Sequence, residues 1–332
     1  MKIDIFPHIL TQKYIDALEK EIPDAIFKTV IQGRCQLFPA LSNLEKRFAL
    51  MDRHSGLKQV LSLTVPFVER VTAPKASIEL ARLGNDELAE LVSKYPDRFV
   101  AAIGNLPMND LDAAMDELDR IIKELKFKGI QISTDINGKP LDLPEFMPFY
   151  QKMESYDLPI FLHPVRAPAV ADFATEDASK YGINQVIGWP YDTSATMIRL
   201  VVGQVLEKYP KLKLVTHHCG AMIPFFYKRV INFFSNPSRE AVVSRLSLPL
   251  IDYFKKFYAD TALTGCTSGL MCGYAFFGAD HIVFGTDMPL GSFGDTSTLD
   301  EIVKSVEQME ISDADRQKIF SGNAVKLLKL NL

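Results

Sequence analysis

The chain has 332 residues, 47% of them hydrophobic, and a formal net charge of −4. A charge this close to neutral, without a block of basic residues, argues against nucleic-acid binding, and the lack of any run of about 18 apolar residues argues against a membrane span. The sequence does not open with a charged leader and an apolar stretch, and its four cysteines form no CxxC pair or disulfide framework. We therefore expect a protein of the reducing cytoplasm.

Short apolar segments bounded by turn residues predict eight buried parallel strands. In chain order they are residues 3–6, 59–63, 99–103, 129–132, 160–162, 212–216, 257–260 and 282–284. Apolar residues at three- and four-residue spacing predict helices between most of the strands, most clearly at residues 81–94, 111–126, 194–208 and 221–234. Asp110 and Thr193 stand where helix N-caps are expected.

This alternation of strands and helices continues without a linker, and it predicts an α/β protein with a single domain, residues 1–332. The predicted architecture is a distorted TIM (β/α)8 barrel with loop insertions at the catalytic face. An open, doubly wound sheet is the alternative, but no glycine-rich phosphate loop follows the first strand. Residues 31–57 have weak periodicity and predict an excursion over the barrel mouth, and the long loop at 164–191 is a place for substrate selection.

Residues that can bind a metal or transfer protons stand near the ends of four predicted strands. His8 follows the first strand, His163 ends the fifth, His217 and His218 follow the sixth, and Asp287 follows the eighth. Because the carboxyl ends of parallel strands lie on one side of a sheet, we expect these side chains to converge. Imidazole and carboxylate groups in one place indicate a bound metal and an activated water.

Four of these residues have a predicted role and a structural alternative. His163 and Asp287 are predicted metal ligands, although a histidine can simply end a strand and an aspartate can cap a turn. His218 is the predicted general acid and base, and Asp287 is also able to move protons. The orientation of His217 stays open, because adjacent residues of an extended strand point to opposite faces.

The other candidates carry weaker signals. A His-x-His pair at the end of the first strand would direct two imidazoles at one metal, but its first position is Phe6, so His8 stands alone. Arg166 is a candidate to bind a substrate carboxylate, or else a solvated loop residue. Trp189 is a candidate wall of an apolar pocket, or packing under the long loop. Asp260 is expected either to hydrogen-bond a ligand or to cap a turn.

Five stretches, in this order and spacing, carry a resemblance to a known family: YPDRF (95–99), LPIFLHP (158–164), GxVLEKYPxLK (203–213), HxGxxxP (218–224) and FGTDMP (284–289). The chain resembles the amidohydrolase superfamily, in the branch that contains aminocarboxymuconate-semialdehyde decarboxylase and the γ-resorcylate-type decarboxylases. The resemblance covers most of the chain. It implies a distorted (β/α)8 barrel that holds one divalent metal ion, with zinc expected and manganese as the alternative.

The resemblance also implies roles for individual residues. By position His8, His163 and Asp287 match metal ligands, and His218 matches the histidine that these decarboxylases use for proton transfer. The remaining ligand position in the first strand, usually His or Glu, is occupied by Phe6. Three protein ligands and a water still make a reasonable catalytic zinc site.

The function implied is that of a metal-dependent carboxy-lyase, which removes CO2 without oxidation from a small unsaturated or aromatic carboxylic acid. Metal-dependent hydrolysis of a lactone, ester or amide is the alternative, since the same metal and water serve it. A metal-free barrel that binds a ligand without turnover is the alternative from a different class, and Phe6 favours it. The expected partner is a small-molecule carboxylate, and the family resemblance adds an expected homo-oligomer, dimer or tetramer.

Overall fold

Strands form the framework of the protein, whose computed structural model describes residues 1–291 and 297–332. All strand pairings in this part of the chain are parallel except that of the β7–β8 hairpin. The strands are β1 (Lys2–Asp4), β2 (His8–Ile9), β3 (Leu57–Leu63), β4 (Phe99–Ala102), β5 (Gly104–Asn105), β6 (Ile130–Ser133), β7 (Asp135–Ile136), β8 (Lys139–Pro140), β9 (Pro159–His163), β10 (Lys213–Thr216) and β11 (Tyr258–Ala259).

Hydrogen bonds join the strands into a ring in chain order. β1 pairs with β3 and β3 with β4, and beyond Ile103 the ring continues from β5 to β6. It then passes through β9, β10 and β11. Ala259 of β11 bridges Ile282, and the Ile5 N–H donates to the Phe284 carbonyl over 3.0 Å, which brings the ring back to its first strand. This is the predicted distorted (β/α)8 barrel.

Seven of the eight predicted strands overlap observed ones, and the eighth differs. Residues 282–284 form only an isolated bridge to Ala259. The Phe284 N–H donates to the Ile319 carbonyl over 2.9 Å rather than to a neighbouring strand, so the ladder ends after one bridge. The last position of the ring is therefore extended backbone without a regular strand.

Helices follow the strands and cover the outside of the ring. The α-helices of the described residues are Gln12–Glu21, Asp24–Ile26, Gly33–Leu37, Leu44–Met51, Val68–Val71, Pro74–Lys94, Leu111–Lys123, Met147–Tyr156, Ile183–Val186, Gly188–Val202, Val205–Lys208, Ile223–Phe234, Glu240–Val243, Leu250–Phe254, Thr267–Phe277, Thr298–Glu307, Asp313–Gln317 and Asn323–Leu328. Two π-helical segments lie at Phe27–Gln32 and Lys318–Gly322. Short 3₁₀ segments lie at Pro39–Leu41, Pro144–Phe146, His218–Gly220, Pro237–Arg239 and Ala279–His281.

One of the two predicted N-caps is confirmed. The Asp110 side chain accepts a hydrogen bond from the Ala113 N–H over 3.0 Å. The other prediction is wrong, because Thr193 lies inside the helix Gly188–Val202. The helix predicted at 194–208 is interrupted where Gln204 adopts a φ of 67°, a left-handed conformation that the middle of an α-helix cannot contain.

Two groups of apolar side chains form the core. A large one packs the strands against the surrounding helices. A smaller one fills the interior of the ring with side chains from successive strands, and it includes Leu327 and Leu328 of the last helix. Its members on the strands and on the extended backbone of the ring are Ile3, Ile5, Phe6, Val60, Ala101, Ile103, Phe161, Val215 and Val283. Among the described helices, none combines the length and apolar character that a bilayer crossing requires.

Candidate active site

Three histidines and an aspartate meet at the carboxyl ends of the strands, and we call His8, His163, His217 and Asp287 the mouth cluster. The ligand atoms of the three histidines all lie within 4.8 Å of one another, and those of His217, His218 and Asp287 do the same. The Asp287 Oδ1 atom lies 3.1 Å from His8 Nε2 and 3.7 Å from His217 Nε2. The convergence predicted from the strand ends is thus observed.

Hydrogen bonds fix the orientation of each imidazole in the mouth cluster. The Nδ1 atom of His8 lies 3.1 Å from the Leu63 carbonyl, and that of His163 lies 2.7 Å from the Pro164 carbonyl. The Nδ1 atom of His217 contacts the Asp260 carboxylate. An imidazole that donates from Nδ1 to an oxygen presents the lone pair of Nε2 on the other side of the ring. All three rings are therefore oriented so that Nε2 is the nitrogen left to bind a metal.

An unusual backbone brings the two adjacent histidines to the same side. β10 ends at Thr216, His217 is still extended, and His218 turns into the left-handed region with a φ of 54°. The two imidazole centroids are consequently 4.0 Å apart. Asp287 has a φ of 59°, and such left-handed non-glycine residues often occur at functional sites. The alternation of a regular strand would have separated the histidines.

Buried polar atoms of this cluster lack hydrogen-bond partners among the described residues. They are His8 Nε2, His217 Nε2 and Asp287 Oδ1, of which the carboxylate oxygen lies at ion-pair distance from both nitrogens without forming a hydrogen bond, and the neighbouring His218 Nδ1 also has no hydrogen-bond partner there. Unpartnered buried donors and acceptors are costly, and native proteins contain few of them. Nitrogen and oxygen ligands converging on one point are the donor set of a divalent cation such as zinc. The residues present therefore fit a metal ion.

The charges in the cluster are strongly coupled. Burial, together with His217 and His8, lowers the pKa of His163 well below its usual value, so its imidazole is neutral. Burial and the neighbouring His217 lower the pKa of His218 to about 4. Burial opposes charge on Asp287, but His217 and His8 outweigh it and hold the pKa of that carboxyl well below its usual range.

His217 is the positive partner of two buried carboxylates. Burial alone would lower its pKa, but Asp260 and Asp287 overcome that effect and raise the pKa to about 10. Positive charge at this position is thus favoured by the protein. A bound divalent cation would supply the same charge without a proton.

A cavity of about 660 Å³ opens above the cluster, and His218 and Asp287 face it. Trp189, a candidate pocket wall, lines the cavity, with its ring centroid 5.6 Å from that of His163. Arg34 also lines it, and its Nη1 atom donates to the Val65 carbonyl over 3.0 Å. The sequence pattern did not single out Arg34 as a candidate site residue. Its position in the segment 31–57, which was predicted to pass over the mouth, is the sequence feature that could have indicated it.

The other two predicted substrate-binding residues do not line this cavity. Arg166 lies beside a separate cavity of about 300 Å³, where its guanidinium pairs with Asp192 over 3.1 Å and packs on the Tyr191 ring. Its charge is already matched there, which explains why it does not reach the mouth. Asp260 is fully buried behind His217, and it accepts the N–H of Cys219 as well. It orients a histidine, while the cavity wall is made by other residues.

Comparison with known proteins identifies the family. The model of the Amidohydrolase family matches residues 39–330. The chain belongs to the amidohydrolase family. A γ-resorcylate decarboxylase from Polaromonas sp. is 32% identical over 296 residues, which cover 86% of this chain and 87% of that protein. A 2-amino-3-carboxymuconate-6-semialdehyde decarboxylase from Dictyostelium discoideum is 30% identical over 353 residues, covering 100% of this chain and 92% of that protein.

A solved structure extends the likeness to three dimensions. It is a dihydroxybenzoic acid decarboxylase from Polaromonas sp., with bound manganese and the inhibitor 2-nitroresorcinol. The two chains superpose with a TM-score of 0.82 at 29% identity, over 100% of this chain and 97% of that one. The resemblance to the decarboxylase branch, drawn from five short stretches of sequence, is confirmed.

Proposed function

We propose that the chain is a metal-dependent, non-oxidative decarboxylase of a small aromatic carboxylic acid. The observation that carries the proposal is the convergence of His8, His163 and His217, with the Asp287 carboxylate 3.1 Å from His8 Nε2, beneath a cavity that Arg34 also lines. The names of the similar proteins support the reaction, and the manganese in the similar structure supports a divalent metal. The imidazole-rich donor set favours zinc, with manganese as the alternative.

The cavity provides a place for an anionic aromatic ring. Phe38 and Trp189 offer apolar walls, and the Arg34 guanidinium offers hydrogen bonds to a carboxylate or phenolate oxygen. A divalent ion held by His8, His163 and Asp287 would supply Lewis-acid polarisation of the substrate oxygens. Substrate binding and proton transfer are carried out by the protein's own side chains.

We assign delivery of the proton that replaces CO2 to His218, with the neighbouring Asp287 carboxylate assisting the transfer. His218 is neutral at rest, since its pKa is lowered to about 4 by burial and by His217, and an incoming carboxylate would raise its affinity for a proton. In the proposed step the proton moves to the ring carbon that bears the carboxylate, and a ring π pair forms the new C–H bond. The C–C bond then breaks, its electron pair restores the aromatic ring, and CO2 leaves.

A direct assay separates this function from its alternatives. We expect hydroxybenzoates to release CO2 in the presence of Zn²⁺ or Mn²⁺, and we expect His218→Asn to lower kcat by about 10³-fold, the range of a lost general acid or base. His281→Gln, which alters a histidine stacked on Tyr258, is the matched control and should keep kcat. Ring opening of lactones without CO2 release would instead establish a hydrolase. If the metal-loaded protein turns over neither class of substrate, the remaining alternative is a barrel that binds a ligand without turnover.

The proposal also takes residues 1–332 as a single domain. It is supported by the contact between Ile5 and Phe284, which lie near opposite ends of the chain and are hydrogen-bonded within one ring. A homo-oligomer, dimer or tetramer, stays a prediction of the family resemblance. Light scattering of the purified protein would measure it.

A further inference from the structure

The first strand ends in a side chain that cannot bind a metal. Phe6 is fully buried, two residues before His8, at the position where the family resemblance leads one to expect His or Glu. Its ring does not leave a gap at that position. It lies against the His217 imidazole, with ring centroids 4.3 Å apart and planes inclined by 26°.

His217 has the features of a metal ligand in this arrangement. Asp260 holds its Nδ1 atom, and Asp260 is itself fixed by hydrogen bonds from the Cys219 and Ala262 N–H groups, each 3.1 Å long. A carboxylate behind a histidine is the usual support of a histidine that binds a metal. The Nε2 atom of His217 therefore faces the mouth cluster, where it is buried and has no hydrogen-bond partner among the described residues.

We infer that His217 replaces the metal ligand that Phe6 removes from the first strand, so that His8, His163, His217 and Asp287 together bind the ion. This inference rests on the proposed metal-dependent function. Ligands about 2.1 Å from a tetrahedral ion are roughly 3.4 Å apart. The distances from Asp287 Oδ1 to the Nε2 atoms of His8 and His217, 3.1 and 3.7 Å, lie on either side of that value.

The exchange gives the two adjacent histidines different tasks. His217 is supported by Asp260 and aims at the mouth cluster, whereas His218 lines the substrate cavity. Phe6 is then more than a lost ligand, because its ring packs on one face of the His217 imidazole and restrains it in the binding orientation. A histidine at position 6 and a histidine at position 217 are alternative ways of completing one site.

Metal binding, measured without any assay of activity, tests the inference. Metal content is determined by mass spectrometry, and the Kd for Zn²⁺ and Mn²⁺ is determined by competition with a chelator. We expect His217→Ala to weaken binding at least 100-fold, as His163→Ala does, and Asp260→Asn to weaken it 10- to 100-fold. His54→Gln changes a histidine paired with Asp300 outside the site, and this control should bind as the unaltered protein does.

The double variant Phe6→His/His217→Ala is the decisive one. A histidine at position 6 should restore metal binding to within about 10-fold of the unaltered protein, and circular dichroism of each metal-free variant reports whether it folds. If His217→Ala binds metal as tightly as the unaltered protein while His163→Ala does not, the inference is wrong and the proposed function stands. If the double variant folds but does not recover binding, the exchange of ligands is wrong. An unaltered protein that binds neither ion overturns both the inference and the metal-dependent function.

Discussion

Two buried polar regions of the barrel, the Asp4 network and the mouth cluster, differ in how fully their hydrogen bonds are satisfied. The Asp4 network consists of Asp4, Arg47, Gln59 and Thr286. Both Asp4 oxygens accept hydrogen bonds, from Gln59 Nε2 and from the Thr286 N–H and hydroxyl among others. In this network Arg47 Nη2 alone has no partner among the described residues. The mouth cluster instead leaves several ligand atoms unpartnered.

The difference indicates what each region does. The Asp4 network holds the backbone beside two candidate ligands, since Thr286 precedes Asp287 and Arg47 donates to the His8 carbonyl over 2.7 Å. Its hydrogen bonds are made within the protein, so the network positions the backbone of the two candidate ligands. In the mouth cluster the Nδ1 atoms of the histidines are hydrogen-bonded, whereas several atoms that face the centre of the cluster are not. This is the pattern of a site that binds a ligand.

Removing a carboxylate from each region should separate stability from metal binding. Asp4→Ala removes the acceptor of buried donors of Phe6, Gln59 and Thr286, and we expect it to lower the free energy of unfolding by about 4 kcal/mol. Asp287→Ala in the metal-free protein should cost less than half as much, because the Oδ1 atom of Asp287 has no hydrogen-bond partner among the described residues. Denaturant titration of both metal-free variants measures this. Equal losses of unfolding free energy would mean that the mouth cluster contributes as much to stability as the Asp4 network does.

The same contrast predicts a pH effect at a third buried carboxyl, Glu69. Burial raises the pKa of Asp4 only to about 6, because hydrogen-bond donors counteract it, whereas burial raises the pKa of Glu69 to about 8. Neither Glu69 oxygen has a hydrogen-bond partner among the described residues. Between its ordinary pKa of 4.5 and about 8, the folded protein keeps a proton that the unfolded chain has released. Its contribution to stability is therefore largest at low pH and falls as the pH rises.

Glu69→Gln should remove this dependence, because the amide cannot ionise. We expect the variant to gain stability relative to the unaltered protein as the pH rises from 5 to 8, by about 3 kcal/mol in all. Denaturant titrations at pH 5, 6.5 and 8 measure the difference. The matched variant Glu79→Gln changes a glutamate of the helix Pro74–Lys94 and should show no such trend. A constant difference between the Glu69 variant and the unaltered protein would contradict the assignment.

The sequence predicts the ring and part of the site, for a physical reason. Parallel strands bring their carboxyl ends together, so His8, His163 and Asp287 could be placed from apolar segments and the residues that follow them. The role of His217 could not be predicted, because it depends on the left-handed backbone of His218, which strand periodicity does not encode. The short ladder of residues 282–284 depends on a hydrogen bond to Ile319, which is equally invisible in a local pattern.

Which arginine is able to bind the substrate could not be predicted from the sequence either. The effect expected from replacing it is the smallest of those considered. The sequence made Arg166, three residues after His163, a candidate beside the alternative of a solvated loop residue, and in the structure its guanidinium pairs with Asp192 at a separate cavity. Arg34 faces the mouth cavity, where burial lowers its pKa and the Asp287 carboxylate opposes that effect. Arg34→Gln should therefore raise KM about 10- to 30-fold, the value of one charge-assisted hydrogen bond, and leave kcat within about 3-fold.

Arg166→Gln is the matched variant, and steady-state kinetics on one carboxylate substrate compares the two. We expect its KM to change less than about 3-fold, because a charge already neutralised by Asp192 contributes little at the mouth. The KM of Arg34→Lys should lie between those of the unaltered protein and of Arg34→Gln, since lysine keeps the charge but loses the bidentate geometry of the guanidinium. A larger KM for Arg166→Gln than for Arg34→Gln would place the substrate carboxylate toward the second cavity. In that case the unpartnered atoms of the mouth would serve the metal alone.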